Sequence, residues 1–243
     1  MLRLNIEKIG VEDGFLELGE APRNLNLCLP LRPHNKAPVL LSRYRYHSQD
    51  RPTGFCTDCP TSRVLDLGCG SGDATEELAL YYEAVVVGID LDFELLRRAQ
   101  QSHPQHQFFQ CTAEALPFSS KKFSHVDSGV AVPYMDIRKV FSEVHRVLAP
   151  GGTFRFSVHN WRFVVHEFRS ARSMVALAYR SYVFVNGLLF HFLGKQFKFL
   201  WTKRIESFQT SFRMRRELYR VGFCDFQEGN QSPPTFWAKR PLE

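Results

Sequence analysis

An α/β fold with a mostly parallel sheet is predicted by three observations. First, the apolar run Val64-Leu65-Asp66-Leu67 is short enough for a buried parallel strand, and it runs into Gly68-Cys69-Gly70-Ser71-Gly72. Three glycines at alternate positions force a tight turn or leave bare backbone for a ligand, and Asp73-Ala74-Thr75-Glu76-Glu77-Leu78 then opens a helix. Second, another apolar run, Ala84-Val85-Val86-Val87-Gly88-Ile89, ends in Asp90. Third, 243 residues with 44% hydrophobic and 23% charged content suit one α/β domain with additions and a sizeable core.

The glycine turn has the form of a nucleotide site, with a helix N-terminus facing the ligand. A phosphate-gripping loop would end in Gly-Lys-Ser/Thr, and no lysine lies between Arg63 and Lys121. A dinucleotide fingerprint would read Gly-x-Gly-x-x-Gly, whereas here the third glycine comes one residue early. Asp66 at the strand end would repel a pyrophosphate and attract an ammonium. Asp90 can accept the hydroxyls of a ribose. One carboxylate for a cationic amino acid and one for a ribose, with no phosphate clamp, describe S-adenosylmethionine (SAM).

The segment resembles the core of class I SAM-dependent methyltransferases, including the ubiquinone/menaquinone and small-molecule branch. The likeness runs through Leu65–Gly72, Gly88-Ile89-Asp90, Ala113-Glu114-Ala115-Leu116-Pro117-Phe118 and Arg146-Val147-Leu148-Ala149-Pro150-Gly151-Gly152, and closes at Gly222-Phe223. It implies a Rossmann-like three-layer sandwich whose seven-stranded sheet is mostly parallel with an antiparallel last strand. It also implies SAM as cofactor, held by Asp66, Gly68, Cys69, Gly70, Gly72, Asp90, Leu91, Thr112, Ala113, Ser128 and Gly129. The chain divides on this reading into an extension (1–60), a SAM-binding core (61–160), an aromatic and basic lid (161–212) and a stretch completing the sheet (213–243).

In the extension, Leu2, Leu4 and Ile6 alternate before the turn signal Glu12-Asp13-Gly14, which reads as a hairpin, and Pro22, Pro30, Pro33 and Pro38 disfavour helix. Arg43, Tyr44 and Arg45 stand where similar enzymes touch the methionine carboxylate, although surface arginine and packing tyrosine are the commoner uses. Cys56-Thr57-Asp58-Cys59 lacks the second pair that a closed zinc site needs, so free thiols and no obligate metal are expected. Six cysteines without regular spacing and no N-terminal apolar segment suit a reducing cytosol.

From the glycine turn onward the elements follow in order. Helices are expected from Asp73 to Tyr82, over Phe93–Ala99 and from the N-cap Asp136 through Leu148, with strands at Gln107–Cys111, Lys121–Val130 and Thr153–Val158. Thr112 replaces the acid that the family places near the adenine, which weakens one hydrogen bond by about 0.5–1.5 kcal/mol. The strand over Lys121–Val130 is polar for a central one: Ser124 replaces an Asp, and Asp127 needs a partner such as His125, Arg138 or a backbone amide. Ala131 and Val132 stand where amine-methylating enzymes of this architecture carry a polar side chain, which disfavours exocyclic-amine methylation. Leu218, Val221 and Phe223 suggest a helix entering a sixth strand, with Thr235–Ala238 as the seventh.

Charge is unevenly spread. Residues 151–220 hold thirteen Lys/Arg against three Glu, while the whole chain is only +6. Over 159–212, aromatics such as Trp161, Phe168, Tyr182 and Phe197 interleave with Arg162, Arg172, Lys195 and Lys203. Three readings stay open. The first is a lid core with a solvated cationic face. The second is an apolar pocket under a basic surface, fitting a small-molecule or lipid-like acceptor taken from an anionic membrane. The third is a nucleic-acid groove, which the apolar run Val175–Leu193 disfavours because base stacking needs exposed rings. That run carries Arg180, Asn186 and His191, so it does not read as membrane-spanning. The expected reaction is O- or C-methylation, with Tyr134, His159 and His166 as the groups placed to act on an acceptor proton. An NAD-dependent oxidoreductase, an RNA methyltransferase and a non-catalytic SAM-binding module are the rivals.

Overall fold

The computed structural model describes residues 63–200, 202–229 and 232–242; the hairpin, Arg43, Tyr44, Arg45, Cys56 and Cys59 lie outside them. Seven strands form one sheet in the order β3-β2-β1-β4-β5-β7-β6. They are β1 (Arg63–Leu67), β2 (Val85–Asp90), β3 (Gln107–Gln110), β4 (Phe123–Ser128), β5 (Leu148–Ser157), β6 (Cys224–Glu228) and β7 (Thr235–Lys239). The first five run parallel, and β7 lies antiparallel between β5 and β6. Six helices accompany them: α1 (Asp73–Tyr82), α2 (Phe93–Ser102), α3 (Ile137–Val147), α4 (Trp161–Arg169), α5 (Met174–Leu193) and α6 (Ser211–Val221). This is the expected Rossmann-like sandwich. The chain reverses direction along the sheet between β1 and β4, the switch point where α/β sheets open a crevice.

Strand alternation sorts the two faces. Leu65, Leu67, Val87, Ile89, Val126, Phe154 and Phe156 pack with Val140, Phe141 and Val144 of α3 and Met214 and Leu218 of α6. On the opposite face Val64 and Val86 pack with Leu78 of α1. Of the polar residues of β4, His125 and Asp127 belong to that second face, while Ser124 and Ser128 donate to the carbonyls of Arg63 and Leu67 on β1. In register with Val64 and Asp66 stand His125 and Asp127, and beside them on β5 stand Thr153 and Arg155. Arg155 Nη1 donates to Asp127 Oδ2 at 2.9 Å, His125 Nδ1 lies 2.6 Å from Thr153 Oγ1, and Tyr82 Oη lies 2.9 Å from His125 Nε2. Asp127 thus finds its buried partner in Arg155, with His125 Nε2 at 3.7 Å and Arg138 engaged elsewhere. Burial depresses the His125 pKa and keeps the ring neutral in this layer. The strand is also shorter at both ends than the run Lys121–Val130.

Helices α4 and α5 and the irregular chain after them form a separate small core of Val164, Val183 and Phe208, packed with Phe163, Phe168, Tyr179, Tyr182 and Phe184. Gly187 is required there: a Cβ would collide with the Phe208 ring. Asn186 Nδ2 donates to the carbonyl of Glu206 at 2.8 Å, and Phe197 N donates to Asn186 Oδ1 at 2.8 Å. Gln196 accepts from Ile137 N at 3.1 Å, tying this segment to the start of α3.

Candidate functional site

A cavity of about 360 Å³ opens at the carboxyl ends of β1, β2 and β4. Its floor is the glycine turn. Gly68 N and Cys69 N both donate to the carbonyl of Ile89, at 2.8 and 2.9 Å, which pins the turn to β2. Gly70 has φ +55 and a Cβ there would meet nothing within 4 Å, so the backbone is bare toward the cavity. Gly70 N donates to Asp90 Oδ2 at 3.0 Å, and Asp92 N donates to Asp90 Oδ1 at 2.9 Å, fixing that carboxylate at the rim.

Helix α1 begins at this turn. Its N-cap, Gly72, is left-handed and provides no side-chain cap, whereas α2 to α6 are capped by Asp92, Asp136, Asn160, Ser173 and Thr210. The first amides of α1 therefore lack a capping side chain where the chain faces the cavity. Thr75 on the buried side of α1 donates to Asp66 Oδ2 at 2.7 Å. Burial pushes the Asp66 pKa up to about 7, partly offset by the Thr75 bond and reinforced by Asp127 and Asp90.

Four carboxylates line the cavity, Asp66, Asp73, Asp90 and Glu114, with no lysine or arginine among the lining residues. A pyrophosphate would meet repulsion there; a ligand bearing ammonium and sulfonium charges would not. Burial raises the thiols of Cys69 and Cys111, the latter to about 12, so both line the wall as neutral groups at physiological pH.

Of the residues expected to hold a cofactor, Asp66, Gly68, Cys69, Gly70, Asp90, Leu91, Ala113 and Gly129 line this cavity, and Tyr134 lines it too. Gly72, Thr112, Ser128 and His159 stand behind the wall. Gly72 serves close packing, since a Cβ would come within 3.0 Å of both Ala99 and Phe108. Thr112 turns its hydroxyl to Glu114 Oε2, and Glu114 Oε1 accepts from Asp136 N at 3.0 Å. The acid near the expected adenine side thus comes two residues later than the family position. Ser128 is fully buried and donates to the carbonyl of Leu67 at 3.1 Å, bracing β4 against β1.

Val130 and Ala131, which follow Ser128 and Gly129 at the positions where the family lines the methyl donor and meets its acceptor, line the cavity, and Asp73, Glu114 and Met135 are lining residues that the sequence reading did not assign to the site. Glu114 had a signal, its place two residues after the Thr112 departure. Met135 had none, because a tertiary turn brings it in.

His159 sits beside Tyr134. Its ring stacks on Phe163 at 4.1 Å and meets the Tyr134 ring edge-on at 5.5 Å. Burial, helped by Arg180, lowers the His159 pKa to about 4, so the imidazole is neutral through the physiological range. Partial burial of the half-exposed Tyr134 raises its phenol above the ordinary value, with Glu206 nearby adding to the effect. Behind them Tyr179 donates to Glu206 Oε2 at 2.5 Å, and Arg180 pairs with Glu167. His166 lies on α4 with no resolved role at the cavity.

Known proteins share this architecture. Residues 64–152 match a family described as a methyltransferase domain. An uncharacterized methyltransferase of Synechocystis is 42% identical over 111 residues, 43% of this chain and 52% of that protein. A demethylmenaquinone methyltransferase of Chlorobaculum tepidum is 36% identical over 91 residues, 37% and 38% of the two chains. A fatty-acid O-methyltransferase of Mycolicibacterium smegmatis is 33% identical over 140 residues, 54% and 49%. The chain spans about half or less of the length of these curated relatives. Among solved structures, a SAM-dependent methyltransferase of Methanosarcina mazei superposes with a TM-score of 0.55 at 20% identity, covering 75% of this chain and 94% of that one, a likeness of fold. Residues 64–152 therefore match a methyltransferase domain, and the fold around them is that of solved SAM-dependent methyltransferases.

Proposed function

We propose that the protein is a methyltransferase that binds SAM in the acidic cavity and methylates a small-molecule or lipid-like acceptor at oxygen or carbon. The observation that carries this is a cavity wall with four carboxylates, no cation and a bare glycine turn. Asp66 would face the methionine ammonium, Asp90 the ribose hydroxyls, the open start of α1 the methionine carboxylate, and Ala113 with Glu114 the adenine. When bound, SAM supplies an activated methyl group on a positively charged sulfur.

The chain's own residues orient and shield. Val130, Ala131, Tyr134 and Met135 give the β4 side of the cavity an apolar wall that suits a hydrocarbon-bearing acceptor and excludes water. Ala131 and Val132 offer no side-chain oxygen to an amine, and Val132 is fully buried. The Tyr134 hydroxyl at the cavity wall would meet an acceptor proton first, with neutral His159 behind it as the group that could take it on. The relatives named for fatty-acid and demethylmenaquinone methylation support an apolar acceptor.

Calorimetry with SAM and S-adenosylhomocysteine, followed by transfer of labelled methyl to fatty acids and demethylated quinones, tests the proposal. Micromolar SAM binding with label in an apolar product supports it. No SAM binding at millimolar ligand overturns it, and binding without turnover on any such acceptor overturns the acceptor class.

A further inference from the structure

Helix α5 buries one face and leaves the other bare. Val183, Asn186, Gly187 and Phe190 point into the protein. Opposite them Met174, Ala178, Ser181, Val185, Leu188 and Phe192 recur at alternating spacings of four and three residues, the repeat of a single helical stripe. All six are exposed, Met174 by 79%, Val185 by 52% and Phe192 by 72%. Between Ser173 and Gly194 the one ionic side chain is Arg180, which turns inward to Glu167. The stripe is thus about five turns of uncharged surface. Beyond its C-terminal end Phe197 and Leu200 extend the apolar surface, 50% and 90% exposed.

Charge frames this surface with one sign. Residues 159–212 contain eight Lys/Arg and two Glu. Both carboxylates are consumed internally, Glu167 by Arg180 and Glu206 by Tyr179. Arg172 before α5 and Lys195, Lys198, Lys203 and Arg204 after it are exposed. No described helix is long and apolar enough to cross a membrane. An exposed uncharged stripe with cations flanking it at both ends and no outward acid in residues 159–212 suits contact with the acyl region and anionic headgroups of a bilayer surface.

We infer that α5 with the residues 195–200 and 202–204 docks the protein on an anionic lipid surface, with the Met174–Phe192 stripe inserted among the lipids and Arg172, Lys195 and Lys198 on the headgroups. A second copy of this chain would cover the stripe but would leave the flanking cations facing their own kind, so lipid satisfies both features at once. The inference does not depend on the acceptor or on SAM, because docking is read without turnover.

Co-sedimentation of the full chain with phosphatidylcholine vesicles, with and without about one-third phosphatidylglycerol, tests it. Binding should need the anionic lipid and weaken steeply with salt. Lys195→Glu with Lys198→Glu, both at exposed positions, should lower the partition coefficient at least tenfold with an unchanged melting curve. Val185→Glu, Leu188→Glu and Phe192→Glu together should abolish binding; if that variant does not fold, protection of α5 amides from hydrogen exchange on vesicles replaces it. Absence of binding to the anionic vesicles, or binding that the lysine changes leave intact, would overturn the inference. A lipid-free dimer that the triple variant dissolves would overturn it in favour of self-association.

Discussion

The glycine-turn half of the molecule and the α4–α5 segment are built by opposite means. In the first, the backbone does the work: β1 ends, three glycines turn, α1 starts, and the Gly70 amide fixes the Asp90 carboxylate twenty residues on. In the second, side chains distant in sequence do the work, Asn186 reaching the backbone at Phe197 and Glu206, and Gln196 reaching Ile137. Their charge differs as well: the cavity lining is acidic, whereas the outward face of α5 and its flanks is apolar and cationic. Local geometry makes a site whose ligand is readable; tertiary packing makes a surface whose partner must be read from the fold.

The largest effect is expected at the joint between the two regions. Glu217 of α6 is buried and meets Arg138 at 3.0 Å, Arg220 at 3.2 Å and the buried Arg213. Glu217→Ala would leave Arg213 without its counterion, and urea unfolding should record a loss of about 3–5 kcal/mol. Next comes Asp66→Asn, which separates binding from stability. Calorimetry should find SAM affinity reduced roughly 10–100-fold, the loss of a charge-assisted contact. The same variant should be more stable than the parent at pH 8, by about 1–3 kcal/mol, because it no longer ionises a buried acid.

The sign follows from the raised Asp66 pKa. Between pH 4 and pH 7 the native protein holds a proton that the unfolded chain has lost, so this group's contribution to stability falls as pH rises through that window. SAM affinity should move oppositely, increasing up to about pH 7 as the carboxylate ionises. A pH series on parent and D66N that gave parallel stability curves would contradict this assignment.

Two glycines sharpen the contrast further. Gly187→Ala should cost about 1–3 kcal/mol by overpacking against Phe208, with SAM affinity unchanged. Gly70→Ala meets open space, so its stability cost should stay near 1–2 kcal/mol from the left-handed backbone, while SAM affinity drops as the methyl enters the cavity. The smallest effect is expected for Thr112→Ala, within about 1 kcal/mol in SAM binding, since its hydroxyl is turned to Glu114.

Much of the fold was legible because strand and helix periods and glycine turns are local. Helix α1 spans Asp73–Tyr82 and β2 ends at Asp90, as the spacing implied. The polarity of β4 was visible, but its explanation was not: Asp127 meets Arg155 only because β5 lies beside β4 in the sheet. At the site, Asp66, Asp90 and the bare glycine follow from the strand-turn-helix pattern. Ser128 and Thr112 could not be assigned from their positions alone, because hydroxyl rotamers decided between the cavity, the Leu67 carbonyl and Glu114. Met135 reaches the wall through the 3-10 turn at Val132–Tyr134, which no periodicity announces.

The buried carboxyl under α1 also has a calorimetric consequence. An acid that is about half protonated near neutrality must shed that fraction when a cation settles against it, so ligand uptake at pH 7 would release roughly half a proton to solvent. The measured heat of binding would then differ between phosphate and Tris, in proportion to each buffer's own heat of ionisation. The protein would thus report the arrival of its ligand through the surrounding electrolyte.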